Sequence, residues 1–394
     1  MEKKLKRSRK EKKKVSKILM FGAFVLFIVV LSVLGVYFYL SNSISTASSP
    51  VFEEIYATSS DLKIKIGQID SIIYDALYKS GVQEKAVFFS AVEPRNGGGD
   101  DWDFTELLIE LSSKDFVFEL NALIYSNLYD LNPDVEVEVE NLSSHELICR
   151  VFVSGLNTHK VRIRYKDKLM VSSRELPKIA IIIDDLGYDL DIAKSLMKFD
   201  LPLSLSVLPL ATYTSDIVEE ANKQGCELLL HIPMEPKEYP RFDPGPGALL
   251  TDMNDKELRK AIDFLLKQTP GVIGVNHHMG SSFSERRDKM SVVLSELKGR
   301  NLFYVDSRTT AQTIAYDLAK EMGVPAGKKS TFLDHDLSLE ALRFQVERLM
   351  GMARYSGEAI GIGHPHKETL EILKEYSRQL TSEFNVVPVS ELVN

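Results

Sequence analysis

Apolar and polar residues alternate in three distinct regimes along the chain. Ile18 to Leu40 is apolar throughout, 23 residues without a charge. As a helix it would be about 35 Å long, enough for a bilayer core of about 30 Å. In residues 51–175 the period is mixed. Leu62, Ile66, Ile69, Ile73 and Leu77 recur at helical spacing, and Val135 to Val139 alternates Val with Glu. Leu107, Ile109 and Leu111 read as a half-buried strand with Glu106 and Glu110 facing away, although Leu108 breaks the alternation. Leu147–Val153 and Lys160–Arg164 read as a hairpin around Ser154, Gly155 and Asn157, and Asn96–Asp101 reads as a surface loop.

From residue 176 the rhythm changes again. Apolar runs of strand length begin near Ile179, Leu203, Glu227, Val272, Leu302, Thr331, Ala359 and Asn385. Amphipathic helical stretches such as Lys256–Lys267, Met290–Leu297 and Leu339–Met352 lie between them. Short buried strands alternating with helices predict βα units around a parallel sheet. The predicted fold class is therefore α/β: a distorted or incomplete (β/α) barrel over 176–394, preceded by a small α+β domain over 51–175. A doubly wound open sheet is the alternative.

Charge then sets the topology. Residues 1–17 hold ten of the 48 Lys and Arg and two of the 56 acids, which leaves a net charge of −16 on the rest. A basic tail (1–17) before an apolar run (18–40) predicts a single-pass anchor in the inner, cytoplasmic membrane. The tail stays inside and the body lies in the periplasm or extracytoplasmic space. A cleaved signal peptide is the alternative, with Ser45-Thr46-Ala47 as its cleavage site, but its apolar core is normally about 7–15 residues. Ser-rich residues 41–50 form a linker. An acidic body excludes nucleic acid as a partner. Cys149 and Cys226 fall in different domains and are expected as buried thiols. Residues 51–175, with isolated His145 and His159, carry no chemical constellation. They read as a spacer, a docking surface for an envelope protein, or a substrate-positioning domain.

The chemistry collects where the barrel strands end, as reactive groups do in (β/α) barrels. The first strand runs into Asp184-Asp185. Adjacent carboxylates need a cation or a shared proton, and such a pair can provide one metal ligand and one base. A helix N-cap would need only one Asp. His231 follows the apolar run Leu228–Leu230, with Glu235 four residues on as a second ligand or a partner. The next strand ends His277-His278, of which one faces a given site because neighbours on a strand point apart. Later strands end at Asp306-Ser307-Arg308 and at His364-Pro365-His366. Five of the eight histidines fall at such ends, and His335 is an outlier. Three convergent N/O ligands with open positions suit a catalytic zinc-type ion.

The stretches IAIIIDDLGYD, LLLHIPMEP, GPGALLTDM, GVNHHMGSSFS, YVDSRTTAQT, FLDHD and IGIGHPHKETL resemble, in order, the divergent polysaccharide deacetylase family, related to the NodB-type carbohydrate esterases. The resemblance covers residues 178–394 and implies a distorted (β/α) barrel. It implies Asp184 as catalytic base, Asp185 and His231 as metal ligands, and His364 as general acid. Glu235 stands where the esterases have a second His, which leaves His278 to complete the shell with zinc as the implied metal. Asp306 and Arg308 resemble the strand-end residues that orient the base, Arg308 by a charge-assisted bond to Asp184. The implied function is removal of N-acetyl groups from an envelope glycan such as peptidoglycan. A non-catalytic glycan- or protein-binding module on a degenerate barrel is the alternative.

Overall fold

The computed structural model describes residues 61–97, 100–131, 133–143, 145–166 and 175–393. The expected basic tail, membrane span and linker lie outside the described residues. Among the described residues no helix is long and apolar enough to cross a membrane.

The smaller domain begins with α1 (Asp61–Lys79), followed by β1 (Val87–Gly97), β2 (Asp100–Leu111), α2 (Lys114–Tyr129), β3 (Val135–Ser143), β4 (Glu146–Val153) and β5 (Leu156–Tyr165). Its sheet has the order β1-β2-β5-β4-β3. The pairs are antiparallel except for parallel β2 and β5. The predicted helical stripe packs on this sheet: Ile69 and Ile73 of α1 join Leu120, Ile124 and Leu128 of α2 in one buried cluster with Ile109 and Ile163. The predicted hairpin is β4–β5, closed by Ser154 and Gly155, both with positive φ as a two-residue primed turn requires. Asn96–Asp101, expected as a surface loop, includes the paired ends of β1 and β2. Glu110, expected to face solvent, is buried between Arg164 and Lys166. Ion pairing and the adjoining strand, neither visible in local alternation, make that burial tolerable.

The larger region comprises β6 (Lys178–Leu186), α3 (Leu190–Met197), β7 (Ser204–Val207), α4 (Thr214–Gln224), β8 (Glu227–Met234), α5 (Asp255–Gln268), β9 (Gly274–Met279), α6 (Arg287–Gly299), β10 (Phe303–Asp306), α7 (Ala315–Met322), β11 (Ala326–Lys328), β12 (Thr331–Phe332), α8 (Leu339–Ser356), β13 (Glu358–Gly363), α9 (Lys367–Glu383) and β14 (Asn385–Val386). Every strand pair is parallel, in the order β11-β10-β9-β8-β7-β6-β13-β12, with β14 beside β6. The Lys329 N–H donates to the Asp306 carbonyl at 2.9 Å and the Ser330 N–H to the Ile360 carbonyl at 2.8 Å. One short stretch thus ties both edges of the curled sheet, the distorted barrel that the pattern predicts.

Inward side chains follow strand alternation. Ala180, Ile182, Leu229, Phe303, Val305, Ile360 and Ile362 form one cluster, sealed by Val387, Val389 and Leu392 from the C-terminal segment. Outward side chains pack under the helices in two further clusters. α8 also contacts the smaller domain. A Cβ on Gly351 would lie 2.7 Å from the Phe89 ring, so the absent side chain lets α8 and β1 approach closely. Cys149 is buried as expected, whereas Cys226, immediately before β8, is only half-buried.

Candidate active site

The site lies at the C-terminal ends of β6, β8, β9 and β13. In-facing alternation carries Ile182 to Asp184, Leu229 to His231, and Gly274 through Asn276 to His278. Asp185 would point outward by that rule. The register with β7 shifts between Ile183 and Leu186, and Asp185 adopts φ 55°. This bulge turns the second carboxylate into the same site as the first. Met279 and Arg308, at neighbouring strand ends, also have positive φ, a concentration of backbone strain of the kind found at functional sites.

Asp185, His231 and His278 converge, all buried. His231 Nε2 lies 3.0 Å, and His278 Nδ1 2.9 Å, from Asp185 Oδ1. Both Asp185 oxygens, His231 Nε2 and His278 Nδ1 are buried without a well-oriented hydrogen-bond partner among the described residues. Buried polar atoms are normally paired. Four such atoms around one point, in an Asp/His/His set, fit a divalent cation of zinc type.

Asp184 is bonded differently. Asn276 Nδ2 donates to both its oxygens, at 2.7 and 2.9 Å. The Asn276 carbonyl accepts from Ser206 Oγ at 2.6 Å and from His231 Nδ1 at 2.8 Å. That bond places the His231 proton on Nδ1 and turns Nε2 toward Asp185. His231 and Asn276 can do this because they are register partners on adjacent strands.

Burial pushes the Asp184 carboxyl above its ordinary range, against the opposing pull of His231, His364 and Asn276. For Asp185 burial acts upward too, but His278 and His231 overcome it and hold the carboxyl low. His231 is lowered by burial yet raised on balance by Asp184 and Asp185.

His364 stands across from this group, its Nε2 4.0 Å from Asp185 Oδ2. Its Nδ1 donates to Asp334 Oδ1 at 2.8 Å, and its backbone N–H to Asp334 Oδ2 at 2.6 Å. Thr369 Oγ1 also donates to Asp334, at 2.6 Å. Asp334 lies low because the neighbouring His364 outweighs its burial.

Other expected residues fall elsewhere. His277 faces away from His278, with Nδ1 2.7 Å from the Tyr304 hydroxyl. Burial lowers its pKa to about 4. Glu235 spends both oxygens on Thr251, accepting from its N–H at 2.7 Å and its hydroxyl at 2.8 Å. It does not join the three converging residues. Asp306 organises its own loop, accepting from Arg308 N–H, Thr313 Oγ1 and Tyr316 N–H. Arg308, expected to anchor Asp184, lines a neighbouring cavity instead, and Asn276 occupies the anchoring place. His366 sits at the N-cap of α9.

Asn276, Ser206 and Asp334 were not anticipated. Asn276 shares the strand parity of His278, and Asp334 follows the Thr331–Leu333 run, so position carried a signal in both. A neutral amide has no titratable chemistry to draw notice, and an acid facing a histidine thirty positions away needs the fold to become visible.

The sequence matches the divergent polysaccharide deacetylase family over residues 181–393. The uncharacterized protein YibQ of Escherichia coli strain K12 is 31% identical over 217 residues, 55% of this chain and 67% of that protein. An uncharacterized protein of Haemophilus influenzae strain Rd is 30% identical over 215 residues, 55% of this chain and 76% of that one. A crystal structure of an uncharacterized protein from Agrobacterium tumefaciens C58 is similar at TM-score 0.52 and 26% identity, covering 57% of this chain and 92% of the other. By sequence, fold and the order of its strand-end residues, this chain belongs to the divergent polysaccharide deacetylase family.

Proposed function

We propose that the protein is a metal-dependent hydrolase that removes N-acetyl groups from an envelope glycan. In this reading residues 18–40 hold it at the cytoplasmic membrane, with the body outside the cytoplasm. The observation that carries the catalytic part is the convergence of buried atoms of Asp185, His231 and His278, none with a well-oriented hydrogen-bond partner among the described residues, beside two groups suited to proton transfer. A zinc-type ion held by these three residues would supply Lewis-acid polarisation of the acetyl carbonyl and acidify water.

The chain's own groups supply the rest. Asp184, made more basic by burial and fixed by Asn276, takes a proton from the attacking water. His364, with Nδ1–H held by Asp334, directs Nε2 toward the site. From that nitrogen it protonates the departing amine. Water adds oxygen to the acyl carbon, the amide C–N bond breaks, and acetate and a free amino sugar leave.

The test is metal analysis of the full-length protein in detergent, combined with acetate release from chitooligosaccharides and peptidoglycan fragments. Bound metal, and acetate release that a chelator abolishes and zinc restores, is the expected result. Tight glycan binding without acetate release would overturn the catalytic reading in favour of a binding module. A periplasm-active reporter fused after Asn394 tests orientation, and a cytoplasmic signal would refute it.

A further inference from the structure

Between the smaller domain and the barrel lies a cavity of about 250 Å³, lined from both sides. Its charges are sorted by depth. Arg348, on α8, is 4% exposed and Lys329 is 7% exposed. Of the acids, Asp70 is taken up by His159 at 3.0 Å, while Asp101, Asp103 and Glu238 are exposed on the rim. The interior is cationic.

Arg348 is the informative residue. Its Nη2 donates to Thr105 Oγ1 at 2.7 Å, but its Nε has no hydrogen-bond partner among the described residues. Neither Arg348 nor Arg308 makes an ion pair among the described residues. A guanidinium withdrawn from water normally has a counter-ion, because an uncompensated buried charge is costly. Phe89 and Phe344, at 5.8 and 5.9 Å, give it partial cation–π compensation only.

The cavity also has apolar faces. Trp102 lines it with the indole N–H engaged by the Asn157 carbonyl at 3.2 Å, which leaves the ring as a surface. Phe332 lines it too, and its ring centroid lies 5.9 Å from that of His364. The cavity therefore shares a wall with the candidate active site.

We propose that this cavity is a subsite for a carboxylate carried by the glycan, on a sugar near the one presented to Asp184 and His364. The identity of the glycan backbone rests on the deacetylase reading. The anion preference rests on Arg348 and Arg308 alone. A guanidinium fork matches a planar carboxylate with two parallel hydrogen bonds. The acidic rim disfavours a dianion such as phosphate, so a monoanion fits best. A lactyl ether on a muramic acid and the carboxylate of a uronic acid both have this chemistry.

The experiment is calorimetric titration of the full-length protein in detergent at low salt with three tetrasaccharides. Chitotetraose is neutral, a peptidoglycan tetrasaccharide carries lactyl carboxylates, and a hyaluronan tetrasaccharide carries uronates. At least one carboxylated ligand should bind about 10- to 100-fold tighter than chitotetraose, the range of a charge-assisted hydrogen-bonded contact. The tighter of the two identifies the source. The preference should weaken with salt and fall toward unity in Arg348→Gln. Arg308→Gln, altering a partly exposed side chain, carries the test if the buried variant fails to fold by circular dichroism. Equal affinity for neutral and carboxylated ligands, or a preference intact in folded variants, overturns the subsite. Acetate release from all three tetrasaccharides is read separately. Its absence from every one of them with the carboxylate preference intact refutes the deacetylase reading and leaves the subsite standing.

Discussion

Replacing Asn276 with aspartate tests the network that holds the candidate base. The amide donates to both Asp184 oxygens at 2.7 and 2.9 Å, and the substitution exchanges both donors for a like charge. Hydrogen bonds to charged groups contribute about 1.5–3 kcal/mol each, so the loss is about 3–6 kcal/mol if both carboxylates stay ionised. Proton uptake caps it. Keeping one carboxyl of ordinary pKa near 4 protonated at pH 7 costs about 4 kcal/mol, and the shared proton restores one hydrogen bond. One of the two bonds stays lost, at about 1.5–3 kcal/mol, so with like-charge repulsion disfavouring the doubly ionised pair the expected destabilisation at pH 7 is about 5–7 kcal/mol. The sign with pH follows. The variant's pair has one carboxyl whose folded pKa is raised above the unfolded value, so its stability relative to wild type is retained below about pH 4 and lost as pH rises. Between pH 5 and pH 7 the deficit should grow by up to about 2.7 kcal/mol. Urea unfolding followed by far-UV circular dichroism at both pH values, with chelator present, measures this directly. A deficit under about 1 kcal/mol at pH 7, or one independent of pH, would refute the bridging role of Asn276.

His278→Ala should remove most bound metal while His277→Ala largely spares it, as metal analysis of the two variants will show; equal content would refute the ligand set. Asp184→Asn and His364→Ala should keep near-native metal content while acetate release falls by about 10²–10⁴. Loss of metal in either would erase the division between ligands and proton-transfer groups. Gly187 has φ 149°, and an added Cβ would lie 2.4 Å from Ala211 Cβ. Gly187→Ala should therefore destabilise by about 2–4 kcal/mol in chemical unfolding. Burial pushes the Cys149 thiol up to about 12. A thiol-reactive dye at pH 8 should label only Cys226 in the native protein and both cysteines after denaturation.

The barrel was legible because its strands are short, buried on both sides and separated by amphipathic helices. Seven predicted strand starts near Ile179, Leu203, Glu227, Leu302, Thr331, Ala359 and Asn385 fall within a residue of the observed ones, and Val272 falls two short of Gly274. β11 was not predicted, since a strand of three residues leaves no periodic trace. The site was legible where chemistry interrupts an apolar run, at Asp184, His231, His278 and His364. It was obscure where a side chain's role depends on a partner distant in sequence. The charge of Arg308 suggested an anchor for Asp184, but its loop is fixed by Asp306 and the residue lines the interdomain cavity. Glu235 has the spacing of a ligand, yet Thr251 takes both its oxygens. Competition among partners decides such cases, and spacing does not record it.

The Asp184-Asp185 pair shows how one backbone irregularity divides labour between neighbouring residues. On a regular strand the two carboxylates would face opposite sides, and only one would reach the site. The bulge brings both in, which by itself would be a repulsive contact in a dry interior. Hydrogen bonding then separates them. Asp184 has its oxygens engaged by one amide, which fixes its orientation without a positive charge and so leaves it basic. Asp185 has neither oxygen so engaged among the described residues and faces two ring nitrogens. The same amide that orients Asp184 sets the tautomer of His231, so one neutral side chain places both the base and a ligand nitrogen. A charged anchor in its place would have held Asp184 equally well but lowered its basicity, and it could not have accepted the proton of His231. The amide at Asn276 fits both requirements, and neither arginine nor lysine would.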